Sequence, residues 1–204
     1  MVDLSKALGD IRSIRRQMAA STEFHGYGPA TLAATAVIAI LAASAQAIWL
    51  PDPARHIPSY LTLWIATAIL SATLTGVQMY TRTRRIHSGL SNEMIHMAVQ
   101  QFLPAAGTGL LLSLALAYFA PASFWMVPGL WQIIFSLGIF SSSRFLPRPI
   151  LLAGAWYLFS GLLCIALGGS RALAPWTMGL AYGAGQLLVA GILFLNAQEA
   201  ADEA

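Results

Sequence analysis

Charged residues are scarce in this chain of 204 residues, and their scarcity excludes an ordinary soluble domain. Only 9% of the residues are charged, whereas soluble proteins carry about 25%. The apolar segments between the charges are about 20 residues long, the length that crosses a hydrocarbon core roughly 30 Å thick. The composition therefore predicts an integral membrane protein. The eight acidic residues all lie near the ends or in short connections, at Asp3, Asp10, Glu23, Asp52, Glu93, Glu199, Asp202 and Glu203.

The absence of other sequence features disfavours several classes of function. The single cysteine, Cys164, lies inside an apolar segment, so no disulfide framework is expected. No basic face on a soluble domain is available for nucleic acid. The chain has no Gly-x-Ser-x-Gly elbow and no Walker or dinucleotide glycine motif, so we expect neither catalytic residues nor a bound cofactor. Charges run through residues 3 to 20, a pattern unlike that of a secretory signal.

The apolar segments predict an all-α fold, a bundle of six transmembrane helices preceded by an amphipathic helix. The spans are expected at about 29–50, 59–81, 94–120, 123–142, 149–169 and 172–196. Residues 1–27 form a cytoplasmic helix and connection, residues 28–197 the membrane domain, and residues 198–204 an acidic cytoplasmic tail. Pro104 predicts a kink in the third span, because proline removes a backbone donor.

The N-terminal segment, residues 3 to 20, has the periodicity of an amphipathic helix. Leu4, Leu8 and Ile11 recur at helical spacing, and the basic residues lie off that stripe. Such a helix can lie in the membrane interface with its cations near lipid head groups. Docking of a soluble partner is the other interpretation. The cations expected to contact lipid or partner are Arg12, Arg15, Arg16, Arg144 and Arg148.

The basic residues also predict an orientation. If both termini are cytoplasmic, the inner segments hold nine basic residues and the outer loops hold Arg55 and Arg171 only. Inner loops of membrane proteins are enriched in lysine and arginine. We therefore expect both ends of the chain in the cytoplasm. The nine inner residues are Lys6, Arg12, Arg15, Arg16, Arg82, Arg84, Arg85, Arg144 and Arg148.

No Asp, Glu, Lys or Arg falls inside the six spans, which disfavours an ion-coupled transporter. Uncharged polar residues gather at the predicted inner ends of the spans. They are either a vestibule open to the cytoplasm or a set of interhelical hydrogen bonds. The residues proposed for the vestibule are Gln78, His96, Gln100, Gln101 and Ser143.

Glu93 and His96 place a carboxylate and an imidazole on one helix face. Carboxylate-bridged metal sites use two such pairs with further glutamates. Only one pair is present here, so these two residues are weak metal candidates and no metal is expected.

Small residues at four-residue spacing predict close helix packing. In the last span Gly179 and Gly183 form such a pair, with Gly191 two turns further along the same face. In the first span Thr35, Ala39, Ala43 and Ala47 repeat with the same period.

Two stretches resemble a family of small bacterial inner-membrane proteins of unknown function. One runs from Ile11 through Arg15, Arg16 and Met18 to Phe24, and is similar to Ile-Arg-Arg-x-Met-x-x-Ser-x-x-Phe. The other begins with Pro128-Gly-Leu-Trp131, continues through Phe140, and includes Ser143, Arg144, Pro147 and the start of the fifth span, which is similar to a Pro-Gly-Leu-Trp span followed by a hairpin. The resemblance implies six spans, a bacterial inner membrane and an interfacial N-terminal helix, with a sensing or accessory role. It supplies no catalytic residue.

Two functions from different classes follow as expectations. The first is a non-enzymatic membrane protein that binds a partner protein or a hydrophobic ligand. The alternative is a facilitator or exporter of a small neutral or amphipathic solute through the vestibule. The expected partners are membrane lipids and a membrane or cytoplasmic protein, with a homo-oligomer as a further alternative and no nucleic acid.

Overall fold

A computed structural model describes residues 28–86, 91–143 and 146–202, without the side chains of 82–86, 91–99, 101–102 and 199–201. The expectation of an all-α fold is confirmed, since this part of the chain is helical and contains no strand. The N-terminal amphipathic helix and the last two residues of the acidic tail lie outside the described residues. The helices are α1 (Pro29–Trp49), α2 (Ile57–Ile86), α3 (Ser91–Phe119), α4 (Val127–Ser142), α5 (Ile150–Leu167) and α6 (Pro175–Asp202).

Proline and glycine set several helix ends. Helix α1 begins at Pro29, where the missing N–H removes no helical bond, and it ends just before Pro51. A 3-10 helix, Pro121–Met126, leads directly into α4. Helix α5 ends at Gly168, whose φ of +67° favours glycine, and a one-turn helix, Gly169–Ala172, joins it to α6.

Five helical segments among the described residues are long and apolar enough to cross a membrane, as expected for a helical membrane bundle. They are Pro29–Trp49, Ile57–Thr81, Pro121–Ser142, Ile150–Leu167 and Gly169–Gln198. The apolar part of α3, Leu103–Phe119, is shorter.

The helices pack in a closed circuit, in which each contacts the next along the chain and α6 contacts α1. The α1–α6 and α4–α5 contacts are the most extensive. Helix α2 is more peripheral, but it contributes the buried side chains of Tyr60 and Trp64 to the core. Neighbouring helices are antiparallel. We call the end where α1, α3 and α5 finish the Trp49 end, and the opposite end the Pro29 end.

Small residues bring the core helices close together. On α6, a Cβ at Gly179 would collide with Ala43 of α1, and one at Gly183 would lie 2.7 Å from Cδ1 of Ile40. A Cβ at Gly191, by contrast, would meet nothing within 4 Å. Gly179 and Gly183 therefore allow the close approach of α6 to α1, whereas Gly191 does not face a neighbouring helix closely.

Candidate functional site

A cluster of buried polar side chains lies in the half of the bundle next to the Trp49 end. Gln46 on α1 is fully buried and makes two hydrogen bonds. Its Nε2 donates to the carbonyl oxygen of Leu173 at 2.8 Å, and its Oε1 accepts from Nε1 of Trp64 at 2.8 Å. One amide thus ties α1 to α2 and to the connection before α6.

Gln132 makes the corresponding link from α4. Its side chain is fully buried, and its Nε2 donates to the carbonyl oxygen of Thr177 at 3.0 Å. The Thr177 hydroxyl lies 2.9 Å from the carbonyl oxygen of Ala172 and 2.6 Å from that of Ala174. The Cys164 thiol on α5 also reaches the Ala172 carbonyl, at 3.4 Å. The start of α6 is therefore held from α4 and α5 by neutral hydrogen bonds.

Three buried polar atoms have no hydrogen-bond partner among the described residues. They are the hydroxyls of Tyr60 and Tyr157 and the Oε1 atom of Gln132. Tyr60 packs with Met178 in one apolar cluster, and Met178 also contacts the amide of Gln132. An unmet polar atom in a dry interior carries an unfavourable desolvation energy. In the described part of the core, these three atoms are therefore the polar groups whose hydrogen bonds are not satisfied.

Three aromatic rings join α4, α5 and α6 in the middle of the bundle. Ring centroids of Phe135 and Tyr157 are 4.8 Å apart, and those of Tyr157 and Tyr182 are 5.4 Å apart. Phe135 meets both tyrosine rings edge-on, an arrangement that is favourable beyond the area it buries, whereas the two tyrosine rings are tilted by 52°. Gly185 leaves room for Tyr157, since a Cβ there would collide with its ring.

The chemistry that this cluster can perform is limited. Its members are neutral amides, hydroxyls, rings and one thiol, and most of them bond to backbone carbonyls or to each other. In the described part of the chain, no group of three or more His, Cys, Asp or Glu side chains could hold a metal ion. The geometry fits a structural core better than a catalytic centre.

The residues proposed for the inner vestibule differ from one another in burial and in hydrogen bonding. Gln78 is half-buried, and its Oε1 accepts a hydrogen bond of 3.0 Å from the backbone N–H of Gly28, at the start of α1. Ser143 donates to the carbonyl oxygen of Phe140 at 2.7 Å. Gln100 is exposed. The side chains of His96 and Gln101 lie outside the described residues, as does that of Glu93, so the vestibule and the metal pair stay predictions.

Most of the cations assigned to lipid or partner contacts also lie outside the described residues: Arg12, Arg15, Arg16 and Arg144. Arg148 is described and exposed, two residues before α5 begins at the Pro29 end. Of the small-residue face predicted on α1, Thr35, Ala39 and Ala43 are buried, and Ala47 is exposed.

Sequence reasoning missed two features. It attended to polar residues at the inner ends of the spans and passed over Gln46 and Gln132, although a glutamine inside an apolar span is itself a signal. It also passed over Ala68, Ala72 and Gly76 on α2, which repeat at the four-residue spacing of close helix packing. Ala68 and Ala72 are exposed, and a Cβ at Gly76 would meet nothing within 4 Å.

No protein-family model matches the chain, and neither the curated proteins nor the solved structures contain a match.

Proposed function

We propose that the chain is a six-span protein of a bacterial inner membrane that binds a partner membrane protein through α2, without catalysing a reaction. In this placement both termini and the Pro29 end face the cytoplasm. The distribution of basic residues in the sequence supports it, since nine of the 11 Lys and Arg residues, Arg148 among them, fall in the segments assigned to the cytoplasm, and only Arg55 and Arg171 fall in the outer loops. The interfacial N-terminal helix remains part of the proposal.

The observation that carries partner binding is the stripe of Ala68, Ala72 and Gly76, in which both alanines are exposed and the half-buried Gly76 has open space beside it. Helix α2 packs on its own bundle along a narrow face, and only 11% of its membrane-crossing window is buried. Apolar burial does not drive helix association in hydrocarbon, because lipid tails are themselves apolar. Close backbone approach at small residues does drive it. The stripe therefore fits a helix of another polypeptide or of a second copy of this chain.

The core supports a binding role over an enzymatic one. Most of its polar groups form hydrogen bonds that join one helix to another or to a connection, as Gln46 does with Trp64 and Leu173. The spans contain no carboxylate or amine that could serve as an acid, a base or a nucleophile.

A matched pair of glycine substitutions tests the proposal. Gly76→Leu places a large side chain on the stripe, and Gly191→Leu does the same on α6, where a Cβ likewise meets nothing within 4 Å. The tagged full chain would be extracted from its native membrane in mild detergent and its co-purifying polypeptides quantified. We expect Gly76→Leu to lose the partner and Gly191→Leu to retain it. Equal retention by both variants would contradict the proposal.

A facilitator of small neutral solutes is the second candidate. The observation that favours it is the set of unpartnered buried atoms of Tyr60, Gln132 and Tyr157, which offers hydrogen bonds at membrane depth. Flux of neutral solutes into vesicles would be measured for the wild type and for a double change of Tyr60 and Tyr157 to phenylalanine, which removes two of these atoms. Loss of flux with folding intact would support this candidate, and unchanged flux would exclude it.

A further inference from the structure

A cleft of about 390 Å³ lies at the Trp49 end, between the last turn of α1 and the first turns of α2. Its walls include Ala45, Leu50 and Leu63, and the ring of Trp49 stands at its edge with 78% of its surface exposed. The connection between the two helices closes the cleft at the top, where Asp52 and His56 line it. The cleft is thus apolar below and polar at the rim.

The depth of this cleft in the membrane follows from the two helices that form it. If α1 and α2 cross the membrane, their connection lies at the interface, where an exposed tryptophan such as Trp49 is typically found. The apolar part of the cleft then lies at the depth of the acyl chains, and the polar rim at the depth of the head groups. A molecule that fills both parts must itself be amphipathic.

Asp52 on the rim is paired with Arg55, a neighbouring cation that does not itself line the cleft. Nε of Arg55 lies 3.0 Å from Oδ2 of Asp52, and the Arg55 side chain is largely exposed whereas that of Asp52 is about half exposed. This contact uses one nitrogen of the guanidinium and one oxygen of the carboxylate. The two terminal nitrogens of Arg55 remain as donors in the planar fork that suits a phosphate. The second oxygen of Asp52 remains as an acceptor for an ammonium group.

His56 fixes the shape of the rim. Its Nδ1 lies 3.2 Å from the backbone carbonyl oxygen of Asp52. The backbone N–H of Arg55 also donates to that oxygen, at 3.3 Å. These local bonds hold the connection in a tight turn, so the acid and the base are presented together above the apolar walls.

We propose that this cleft is a binding site for a phospholipid whose head group carries a primary ammonium, with one acyl chain against the apolar walls. The phosphate lies on Arg55 and the ammonium on the free oxygen of Asp52. A phospholipid with a net negative head group brings no cation to that oxygen. A choline head group has no N–H to donate. The pair of charges therefore selects the zwitterionic head group with a primary amine.

This site rests on the membrane placement proposed above and is independent of the α2 stripe. A chain that binds a partner yet shows no lipid preference would overturn the lipid site alone. A chain with the preference and no partner would overturn partner binding alone.

The test uses the full chain in nanodiscs holding equal amounts of phosphatidylethanolamine, phosphatidylglycerol and phosphatidylcholine with identical acyl chains. Lipids retained on the protein after release from the nanodisc would be counted by native mass spectrometry. We expect the wild type to retain phosphatidylethanolamine in excess over the other two. Equal retention of the three lipids would overturn the proposal.

Three variants test which side chains recognise the lipid head group. Arg55→Gln should lower retention of all three phospholipids, by about tenfold for a lost charge-assisted contact. Asp52→Asn should abolish the preference for the ethanolamine lipid, because the acceptor for the ammonium loses its charge. Arg171→Gln, which removes an exposed cation at the same end of the bundle that is not part of the Arg55–Asp52 pair, should behave as the wild type. An equal loss in Arg55→Gln and Arg171→Gln would show a general charge effect and overturn the site.

Discussion

Gln46 and Trp64 join α1 to α2 through a buried hydrogen bond of 2.8 Å between the indole Nε1 and the amide Oε1. The same amide donates to the carbonyl oxygen of Leu173, which is 127 positions further along the chain. A single side chain therefore fixes the relative position of the first helix, the second helix and the approach to the last. Gln46 is fully buried, so both bonds are shielded from solvent.

Replacing Gln46 by leucine should destabilise the bundle by about 1 to 3 kcal/mol, because the donor of Trp64 and the acceptor of Leu173 both lose their partner. The measurement is reversible unfolding in mixed micelles with increasing SDS. A double-mutant cycle with Trp64→Phe isolates the shared bond, and we expect the two changes to be less than additive. Full additivity would show that the two side chains do not interact.

The contact of α4 with α5 at Gly129 and Gly161 predicts a second effect. A Cβ on Gly161 would lie 2.7 Å from the carbonyl oxygen of Gly129, so the helices must separate to accept it. Gly161→Ala should lower the unfolding free energy by about 1 to 3 kcal/mol through overpacking. Gly191→Ala is the matched control and should cause no loss. Equal stability of the two variants would contradict the observed contact.

Tyr157 offers a test in the opposite direction. Its hydroxyl is buried without a partner among the described residues, so Tyr157→Phe should leave stability unchanged or raise it by about 1 kcal/mol. Thr177→Val is the contrasting variant, because it removes a hydroxyl that reaches two carbonyl oxygens and should destabilise. If both variants destabilise equally, the Tyr157 hydroxyl binds something inside the bundle, which would favour the facilitator.

The proposed orientation can be tested by labelling in intact cells. Arg148→Cys places a thiol at the Pro29 end, and Arg171→Cys places one at the Trp49 end; both positions are exposed. A membrane-impermeant maleimide should label Arg171→Cys and leave Arg148→Cys unlabelled until the cells are opened. The native Cys164 is buried and should stay unlabelled in both. The reverse labelling pattern would show that the chain has the opposite orientation in the membrane.

Local signals predicted the helices well and the polar core poorly. Helix α1 was expected at about 29–50 and is observed as Pro29–Trp49, because proline and apolar length act through neighbouring residues. The bond from Gln46 to Leu173 depends on how distant segments meet, and no local pattern encodes that meeting. The open space beside Gly76 likewise became apparent only once most of α2 was placed at the periphery of the bundle.

Similar limits apply to the glycines and the vestibule. The spacing of Gly179 and Gly183 signalled close packing, and the structure places both against α1. Gly191 was assigned to the same helix face, but a Cβ at Gly191 would meet nothing within 4 Å. Sequence spacing alone does not indicate which glycines meet another helix. Gln78 was assigned to a vestibule from its depth alone, and depth could not reveal its bond to Gly28.

Partner binding is tested most directly by native mass spectrometry of the wild-type chain, released from its own membrane with minimal removal of lipid. We expect a complex that contains a second polypeptide in fixed stoichiometry, either another membrane protein or a second copy of this chain. The complex should be lost when Gly76 is replaced by leucine. A chain that emerges alone, with the same spectrum in both forms, would contradict the proposed role.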